Sequence, residues 1–349
     1  MDFGMALINW YQLNKRVLPW RNTRNPYLIW LSEIILQQTR VAQGMPYYYR
    51  FEERFPNITS FANASEDEVL KLWQGLGYYS RARNMLKTAQ EIKNNYAGVF
   101  PTAYADLIKL KGLGPYTAAA ISSFSVDEKR AVVDGNVYRV LARYIGIDKP
   151  INTSEGVMVF QKLANTLIEN HVPSQYNQAI MEFGALVCTP KKPACNHCVL
   201  RLTCWAFTHH KIAVLPVKLK KNPPKKRFMY FFVVPSNNKL IIKRRSNADI
   251  WAGLYDFPSI ESDSPQTVEA IIADTQFKTW FGPQVVVHKI YKPIKHLLTH
   301  QTIYATFIEL LGSYQSMEQP KEWLYVPINE VENYAQPKLI FAFLKNYLT

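Results

Sequence analysis

The chain has 349 residues, enough for about two domains of ordinary size, and 48% of them are hydrophobic, so it can form a sizeable core. It contains no run of about 18 apolar residues, which excludes an obvious membrane span. Its 41 Lys and Arg against 27 Asp and Glu give a formal net charge of +14, which suits a polyanionic partner but equally fits a merely basic soluble protein.

The first 205 residues carry a helical pattern, in which apolar residues recur at intervals of three and four and Pro and Gly separate the segments. Ser65 and Asp134 stand where two segments begin, as N-cap residues do. We therefore predict an all-α domain over residues 1–208. The predicted helices include 30–43, 66–73, 80–94, 135–145 and 156–170.

Glu33 interrupts an otherwise strongly apolar stretch of the first of these helices. Such an acid either turns to solvent or lies in a pocket that raises its pKa, as a general acid requires. The residue alone favours the solvent-facing alternative, because glutamates are seldom buried.

Two glycines, Gly112 and Gly114, flank Leu113 between two helical patterns and predict a tight turn. Leu113 can enter the core, while the backbone N–H groups at the start of a helix at Pro115 would face outward and suit a phosphate. For these residues alone, an ordinary helix–helix turn is the better explanation. Asp134 follows an apolar run, and an N-cap role alone would account for it.

All four cysteines of the chain lie within residues 188–204, with spacings of six, two and five residues between them. This clustering predicts a metal or cluster site in a reducing compartment rather than a disulfide framework. Only one pair has the short spacing of a zinc knuckle, so four thiolates around an iron–sulfur cluster fit better than zinc or free thiols. The four are Cys188, Cys195, Cys198 and Cys204.

Residues 209–227 hold Lys and Arg, three prolines and no acid, which predicts a basic linker that is either solvated or in contact with phosphate. Beyond it, β-branched and aromatic runs predict strands at 228–234, 240–245, 285–294 and 302–311. Helical patterns near 266–274 and 337–347 are interleaved with them. Residues 228–349 are therefore predicted to form a second domain of α/β type.

Six motifs in order resemble the adenine DNA glycosylase family of the MutY type, within the helix-hairpin-helix superfamily that includes endonuclease III. They are LPWR at 18–21, SEIILQQT at 32–39, GLGYYSRARN at 75–84, GLGPY at 112–116, VDGNV at 133–137 and the four-cysteine loop. The resemblance implies an all-α helix-hairpin-helix glycosylase domain with a [4Fe–4S] cluster held by the four cysteines. Residues 228–349 resemble the family's Nudix-like domain, but the paired-Glu metal ligands of a Nudix box are missing. The resemblance therefore implies recognition of 8-oxoguanine rather than hydrolysis.

The resemblance also implies catalytic roles. Glu33 matches the acid that protonates N7 of adenine, and Asp134 matches the carboxylate that stabilises the oxocarbenium-like sugar. Tyr116 and Asn136 match residues that orient this pair. Endonuclease III-like enzymes carry a lysine at the position of Tyr116, so a monofunctional enzyme without strong lyase activity is implied.

Further positions match the family's DNA contacts, although for Gln38, Thr39, Leu76 and Tyr78 ordinary packing is the simpler interpretation of the residues alone. Residues that enter the base stack and contact the opposite 8-oxoguanine are matched by Gln38, Thr39, Leu76 and Tyr78. The phosphate-binding hairpin is matched by Gly112 and Gly114, and the loop that recognises 8-oxoguanine by Thr299 and His300. The adenine pocket is matched by Trp20, Arg21 and Gln178. Leu298-Thr299-His300 replaces the common Phe-Ser-His, which keeps the hydroxyl and loses the aromatic ring.

The implied function is hydrolysis of the N-glycosidic bond of adenine mispaired with 8-oxoguanine or guanine in double-stranded DNA, leaving an abasic site. We expect a monomer without membrane association. With no basic segment before an apolar run at its start, we expect it in the cytoplasm with the nucleoid, or in the nucleus of a eukaryote. The alternatives are a superfamily enzyme acting on thymine or oxidised pyrimidines, and a non-catalytic cluster-containing DNA-binding protein.

Overall fold

The computed structural model describes residues 2–220, 222–246, 249–282, 285–311 and 320–348. It divides into two units, one of Met1–Asn63 with Asn84–Lys220 and the other of Ala64–Arg83 with Lys221–Thr349. Among the described residues, no helix is both long and apolar enough to cross a membrane. The domain boundaries predicted at 208 and 228 stay a prediction.

Up to residue 208 the described chain is helical, as predicted. The helices are α1 (Phe3–Asn14), α2 (Pro26–Ile35), α3 (Val41–Arg54), α4 (Ile58–Ala62), α5 (Glu66–Trp73), α6 (Ser80–Asn95), α7 (Tyr104–Leu107), α8 (Pro115–Val126), α9 (Gly135–Ile145), α10 (Ser154–Ile168), α11 (Pro173–Leu186) and α12 (Trp205–Thr208). Short 3-10 turns lie at Pro19–Arg21, Cys195–His197 and Arg201–Thr203.

The prediction of one helix over 30–43 is wrong, because α2 ends at Ile35 and α3 begins only at Val41. Between them Gln38 has a φ of 56°, which no right-handed helix accommodates. Leu36 and Val41, on either side of the break, both line a cavity described below, so the apolar pattern of the sequence continues across the break.

The turn between α7 and α8 has the predicted form. Gly112 has a φ of 84°, and a Cβ there would lie 2.9 Å from Cβ of Asn84. Leu113 is buried, and Gly114 is the N-cap residue before Pro115. The turn therefore exposes its two glycines while its leucine enters the core.

Part of the predicted linker packs on the first unit instead of extending into solvent. The N–H of Ile151 donates to the carbonyl of Val217 at 3.0 Å, and the side chain of Asn152 exchanges two hydrogen bonds with the backbone of Leu219. Leu215 is buried. Lys221 lies outside the described residues.

The second unit contains the strands and the remaining helices, as the α/β prediction requires. They are β1 (Lys225–Val233), β2 (Pro235–Ser236), β3 (Lys239–Arg244), β4 (Tyr255–Asp256), β5 (Ser259–Ser262), α13 (Val268–Ala273), α14 (Thr275–Phe281), β6 (Val286–Ile290), β7 (Ile294–Leu297), β8 (Gln301–Leu311), β9 (Trp323–Pro327) and α15 (Lys338–Tyr347). Strand β1 thus begins three residues before the predicted domain start.

In the described residues these strands form two sheets. One has the order β5-β1-β8-β6 with β7 also paired to β8, and the other has the order β2-β3-β4 with β9 paired to β3. Strands β1 and β8 are parallel, and Phe231 faces Phe307 across them. Phe307 stacks on Phe343 of α15 at 3.8 Å between ring centroids, which holds the helix against the sheet.

The predicted strand over 285–294 is in fact two strands, β6 and β7, both antiparallel to β8. Pro293 stands between them and has no N–H to donate to a ladder, which accounts for the interruption. Strands β2, β4, β5 and β9 were not predicted, because their runs are short and lack a clear alternation.

Candidate active site

A cavity of about 590 Å³ lies in the first unit, lined by residues of α2, α8, α9 and α11 and by the residues that follow α2. All four predicted catalytic residues and all three predicted adenine-pocket residues line it. They are Glu33, Tyr116, Asp134, Asn136, Trp20, Arg21 and Gln178. Residues from Trp20 to Gln178, far apart in the chain, therefore meet around one space.

Glu33 reaches this cavity from a helix that is buried on nearly all sides. Its neighbours Ser32 and Ile34 are buried, and so is Trp30 one turn earlier. Glu33 therefore faces the cavity, and the solvent-facing alternative is wrong. Burial raises the pKa of Glu33 to about 7, against a hydrogen bond from Tyr116 and with a further contribution from the negative charge of Asp134.

Tyr116 donates its hydroxyl hydrogen to Oε2 of Glu33 at 2.8 Å. Burial, with the charges of Glu33 and Asp134, raises the pKa of the Tyr116 phenol well above its usual value. The phenol therefore stays protonated and acts as a fixed donor beside the glutamate.

Asp134 is the N-cap of α9, and its carboxylate accepts hydrogen bonds from three N–H groups. Oδ1 accepts the N–H groups of Asn136 and Val137, each at 2.8 Å, and Oδ2 accepts Nδ2 of Asn136 at 2.7 Å. Burial raises the pKa of Asp134 above its usual value, and these three hydrogen bonds to the carboxylate limit the rise. The N-terminus of α9 also stabilises a negative charge there.

The cavity thus combines a carboxyl group whose pKa lies near neutrality with a carboxylate held by three donors. Glu33 can deliver a proton, whereas Asp134 can stabilise a positive charge that develops nearby. Two carboxyl groups with opposite protonation requirements are the arrangement that glycosidic bond cleavage needs.

Glu182 of α11 also lines the cavity, and sequence reasoning missed it. Its side chain is 1% exposed and forms ion pairs at 2.6 Å with both Arg16 and Arg21. Although burial alone would raise it, hydrogen bonds from these arginines hold the pKa of Glu182 at about 2. The available signal was an acid within an apolar helical stretch, the same signal that singled out Glu33.

Arg139 connects the cavity to the cysteine loop and was also missed. Its Nη2 donates to Oδ1 of Asn136 at 2.8 Å, and its Nε donates to the carbonyl of Cys188 at 2.6 Å. Since Asn136 in turn donates to Asp134, a continuous set of hydrogen bonds runs from the loop to the carboxylate.

The other adenine-pocket candidates, Trp20 and Gln178, are held by residues that do not line the cavity. Trp20 packs edge-on against Tyr48 at 5.1 Å between centroids, and Gln178 accepts a hydrogen bond from Tyr11 at 2.6 Å. These contacts restrict the side chains that face the cavity.

The four cysteines are half-buried in the loop between α11 and α12. Burial and the neighbouring thiols raise the pKa of Cys195, and burial raises that of Cys198 to about 11. Arg143 is buried beside them, with Nη1 3.5 Å from Sγ of Cys188. Among the described residues no three Cys, His, Asp or Glu side chains form a group that would hold one metal ion.

These features fit a four-thiolate cluster. The thiols are close enough for the charge of one to act on the others, and the arginine beside them compensates the negative charge that four thiolates would carry. Soft sulfur donors are the ligands that iron–sulfur clusters take.

The predicted DNA-contact residues fall in both units. In the first, Gln38, Gly112 and Gly114 are exposed, and Thr39 lines the cavity. In the second, Leu76 is buried, as the packing interpretation expects, and His300 is exposed.

Within the second unit, the hydroxyl groups of Tyr78 and Thr299 are hydrogen-bonded to each other. Tyr78 remains 45% exposed, and Thr299 is exposed in the turn between β7 and β8. Two residues that the sequence separates by more than two hundred positions therefore form one polar surface.

Both parts of the chain match known families. Residues 31–164 match the family model of the HhH-GPD superfamily base excision DNA repair proteins, and residues 229–346 match that of the NUDIX domain.

Among curated proteins, the chain is 36% identical over 307 residues to the adenine DNA glycosylase of Buchnera aphidicola subsp. Baizongia pistaciae (strain Bp), covering 86% of this chain and 84% of the relative. It is 37% identical over 309 residues to that of Buchnera aphidicola subsp. Schizaphis graminum (strain Sg), covering 86% and 85%. The solved structure of a thermostable thymine-DNA glycosylase aligns with a TM-score of 0.55 and 28% identity, over 59% of this chain and 95% of that one.

Proposed function

The chain belongs to the adenine DNA glycosylase family, and we propose that it removes adenine mispaired with 8-oxoguanine or guanine from duplex DNA. The observation that carries the proposal is the cavity shared by Glu33 and Asp134, in which burial raises the pKa of Glu33 to about 7 and Asp134 accepts three hydrogen bonds. The protein acts on genomic DNA in the cytoplasm or nucleus, as a monomer.

In the proposed reaction the adenine nucleotide leaves the base stack and enters the cavity, since its reacting atoms are inaccessible inside a duplex. Glu33 transfers its proton to N7, and the bond between C1′ and N9 breaks with its electron pair leaving on the base. Asp134 stabilises the positive charge on the sugar, and Tyr116 and Asn136 hold the two carboxyl groups. Water adds to C1′, its proton is released, and an abasic site remains.

The proposal includes no strand cleavage by the enzyme. The position that would need an amine for a Schiff base carries Tyr116, whose phenol cannot form one. We therefore assign the protein as monofunctional.

We further propose that Cys188, Cys195, Cys198 and Cys204 hold a [4Fe–4S] cluster. When bound, the cluster would cross-link four points of the loop through thiolate bonds. The hydrogen bonds of Arg139 to Cys188 and Asn136 connect that loop to the catalytic helix.

Opposite the adenine, Tyr78 and Thr299 are proposed to read 8-oxoguanine through their paired hydroxyl groups. Gln38 and Thr39 of the first unit and Leu76 and His300 of the second also contact DNA, and the amides near Gly112 and Gly114 bind a phosphate. Replacing Thr299→Ala should reduce the preference for 8-oxoguanine over guanine severalfold, since a lost hydrogen bond costs about 1 kcal/mol. Thr279→Ala, at an exposed position of α14, is the control and should leave the preference intact. An equal preference in all three proteins would contradict the assignment.

The test of the function is a set of duplexes that carry adenine opposite 8-oxoguanine, guanine, cytosine or thymine, incubated with the protein and then treated with alkali. We expect strand breaks at adenine opposite 8-oxoguanine and guanine, and only after alkali. Release of thymine instead of adenine, or cleavage without alkali, would contradict the proposal.

A further inference from the structure

Tyr11 of α1 lies directly behind a residue of the candidate adenine pocket. It is 6% exposed, and its hydroxyl donates to Oε1 of Gln178 at 2.6 Å. Tyr11 does not line the 590 Å³ cavity; it lines a second cavity of about 510 Å³ in the same unit. The residues that line both cavities are Arg16, Leu18, Arg21, Phe124 and Gln178.

The hydrogen bond determines which way the carboxamide of Gln178 is turned. Oε1 faces the phenol, so the two N–H donors of Nε2 are left for the cavity that Gln178 also lines. Because burial raises the pKa of Tyr11, the phenol remains a donor throughout the neutral range. Without that donor, the amide could rotate and present either its oxygen or its nitrogen to the cavity.

Tyr11 supports a second pocket residue as well. The guanidinium of Arg21 lies 5.5 Å from the centroid of the Tyr11 ring, and Arg21 is bound in turn to Glu182. The phenyl ring therefore packs under one candidate contact while its hydroxyl orients another. The two functions can be separated, because phenylalanine retains the ring.

We propose that Tyr11 is a positioning residue that fixes Nε2 of Gln178 as a hydrogen-bond donor to the extruded base. A donor at this point pairs with an acceptor atom of the base. In adenine the ring nitrogens N1 and N3 carry no hydrogen and can accept it, while N7 takes the proton of Glu33. The inference rests on the proposed function, which supplies the base.

The experiment is a double-mutant cycle on single-turnover release of adenine opposite 8-oxoguanine. Tyr11→Phe should slow release about two- to tenfold, the range expected for one hydrogen bond. In the Gln178→Ala background the same substitution should change the rate by less than about twofold, because the amide that it orients is gone. The pH at which the rate changes should be the same in Tyr11→Phe and the wild type, since Glu33 is untouched.

A matched control is Tyr27→Phe. The Tyr27 hydroxyl is also buried in the first unit and donates to the carbonyl of Phe55 at 2.5 Å, but Tyr27 lines neither cavity. This variant should unfold at a lower temperature and release adenine at the wild-type rate.

The outcomes separate the two proposals. An unchanged rate in Tyr11→Phe, or an equal loss with and without Gln178, overturns the positioning role while adenine release by the wild type upholds the function. Failure of the wild type to release adenine from any duplex overturns both.

Discussion

Helices α2 and α11 each bring one glutamate into the same cavity, yet the pKa values of these two glutamates, about 7 and about 2, differ by about five. Glu33 on α2 has a phenol as its hydrogen-bonding partner and a pKa of about 7. Glu182 on α11 has two arginines and a pKa of about 2. Burial is common to both, so the partners decide which carboxyl carries a proton. One helix thus supplies an acid and the other a permanent anion.

The largest effect should follow from Glu33→Gln, which keeps the shape of the side chain and removes its proton. We expect adenine release to fall at least about 100-fold, as the loss of a general acid does. Single-turnover kinetics, with mismatch binding measured separately, would check this. Glu155→Gln, at an exposed glutamate of the same unit paired with Lys149, should be indistinguishable from the wild type; a similar loss in both variants would show that the effect is not specific to the cavity.

Asp134→Asn should also abolish release while binding persists, with a loss of at least about 100-fold because the carboxylate charge is gone. Because asparagine is itself a good N-cap, the substitution should change the stability of the protein little. Thermal unfolding measures that stability, so a small change beside the large loss of activity would separate the catalytic role from the N-cap role. Retained turnover would leave Asp134 with only its structural role.

Glu182→Gln tests the other half of the comparison, because it leaves Arg16 and Arg21 without their shared anion. Removing one partner of a buried ion pair costs about 3 kcal/mol of stability. The folded-state pKa of Glu182 lies below its unfolded value, so its contribution is complete above about pH 4.5 and is lost as the pH falls towards 2. Chemical unfolding at pH 7 should reveal the loss; a change as small as that expected for exposed Glu155→Gln, below about 1 kcal/mol, would contradict it.

Glu33→Gln should affect stability in the opposite direction. The folded-state pKa of Glu33 is raised, so the wild type loses stability as the pH rises from about 4.5 to about 7, and this loss should be absent in the variant. Unfolding measured at pH 5 and pH 8 would show a smaller difference in Glu33→Gln than in the wild type. Equal differences would mean that Glu33 is not desolvated.

The sequence predicted the class of both folds and eight of the residues that line the cavity, and the reasons for its failures are physical. Asp134 and the glycine turn were found because N-caps and positive φ angles leave local signals. Arg139 was missed because its contact with Cys188 joins positions distant in the chain. Glu182 was missed although it interrupts an apolar helical stretch, because the arginines that lower its pKa are equally distant. The break after Ile35 was missed because cavity-lining residues continued the apolar pattern across it.

The pH dependence of single-turnover adenine release tests the central claim most directly, which is that Glu33 holds a proton in this cavity near neutral pH. Because a raised pKa of about 7 leaves the acid protonated below that pH, the wild-type rate should fall as the pH rises through about 7, and Glu33→Gln should show a low rate without that inflection. An inflection near pH 7 that persists in Glu33→Gln would assign the proton to another group and contradict the account.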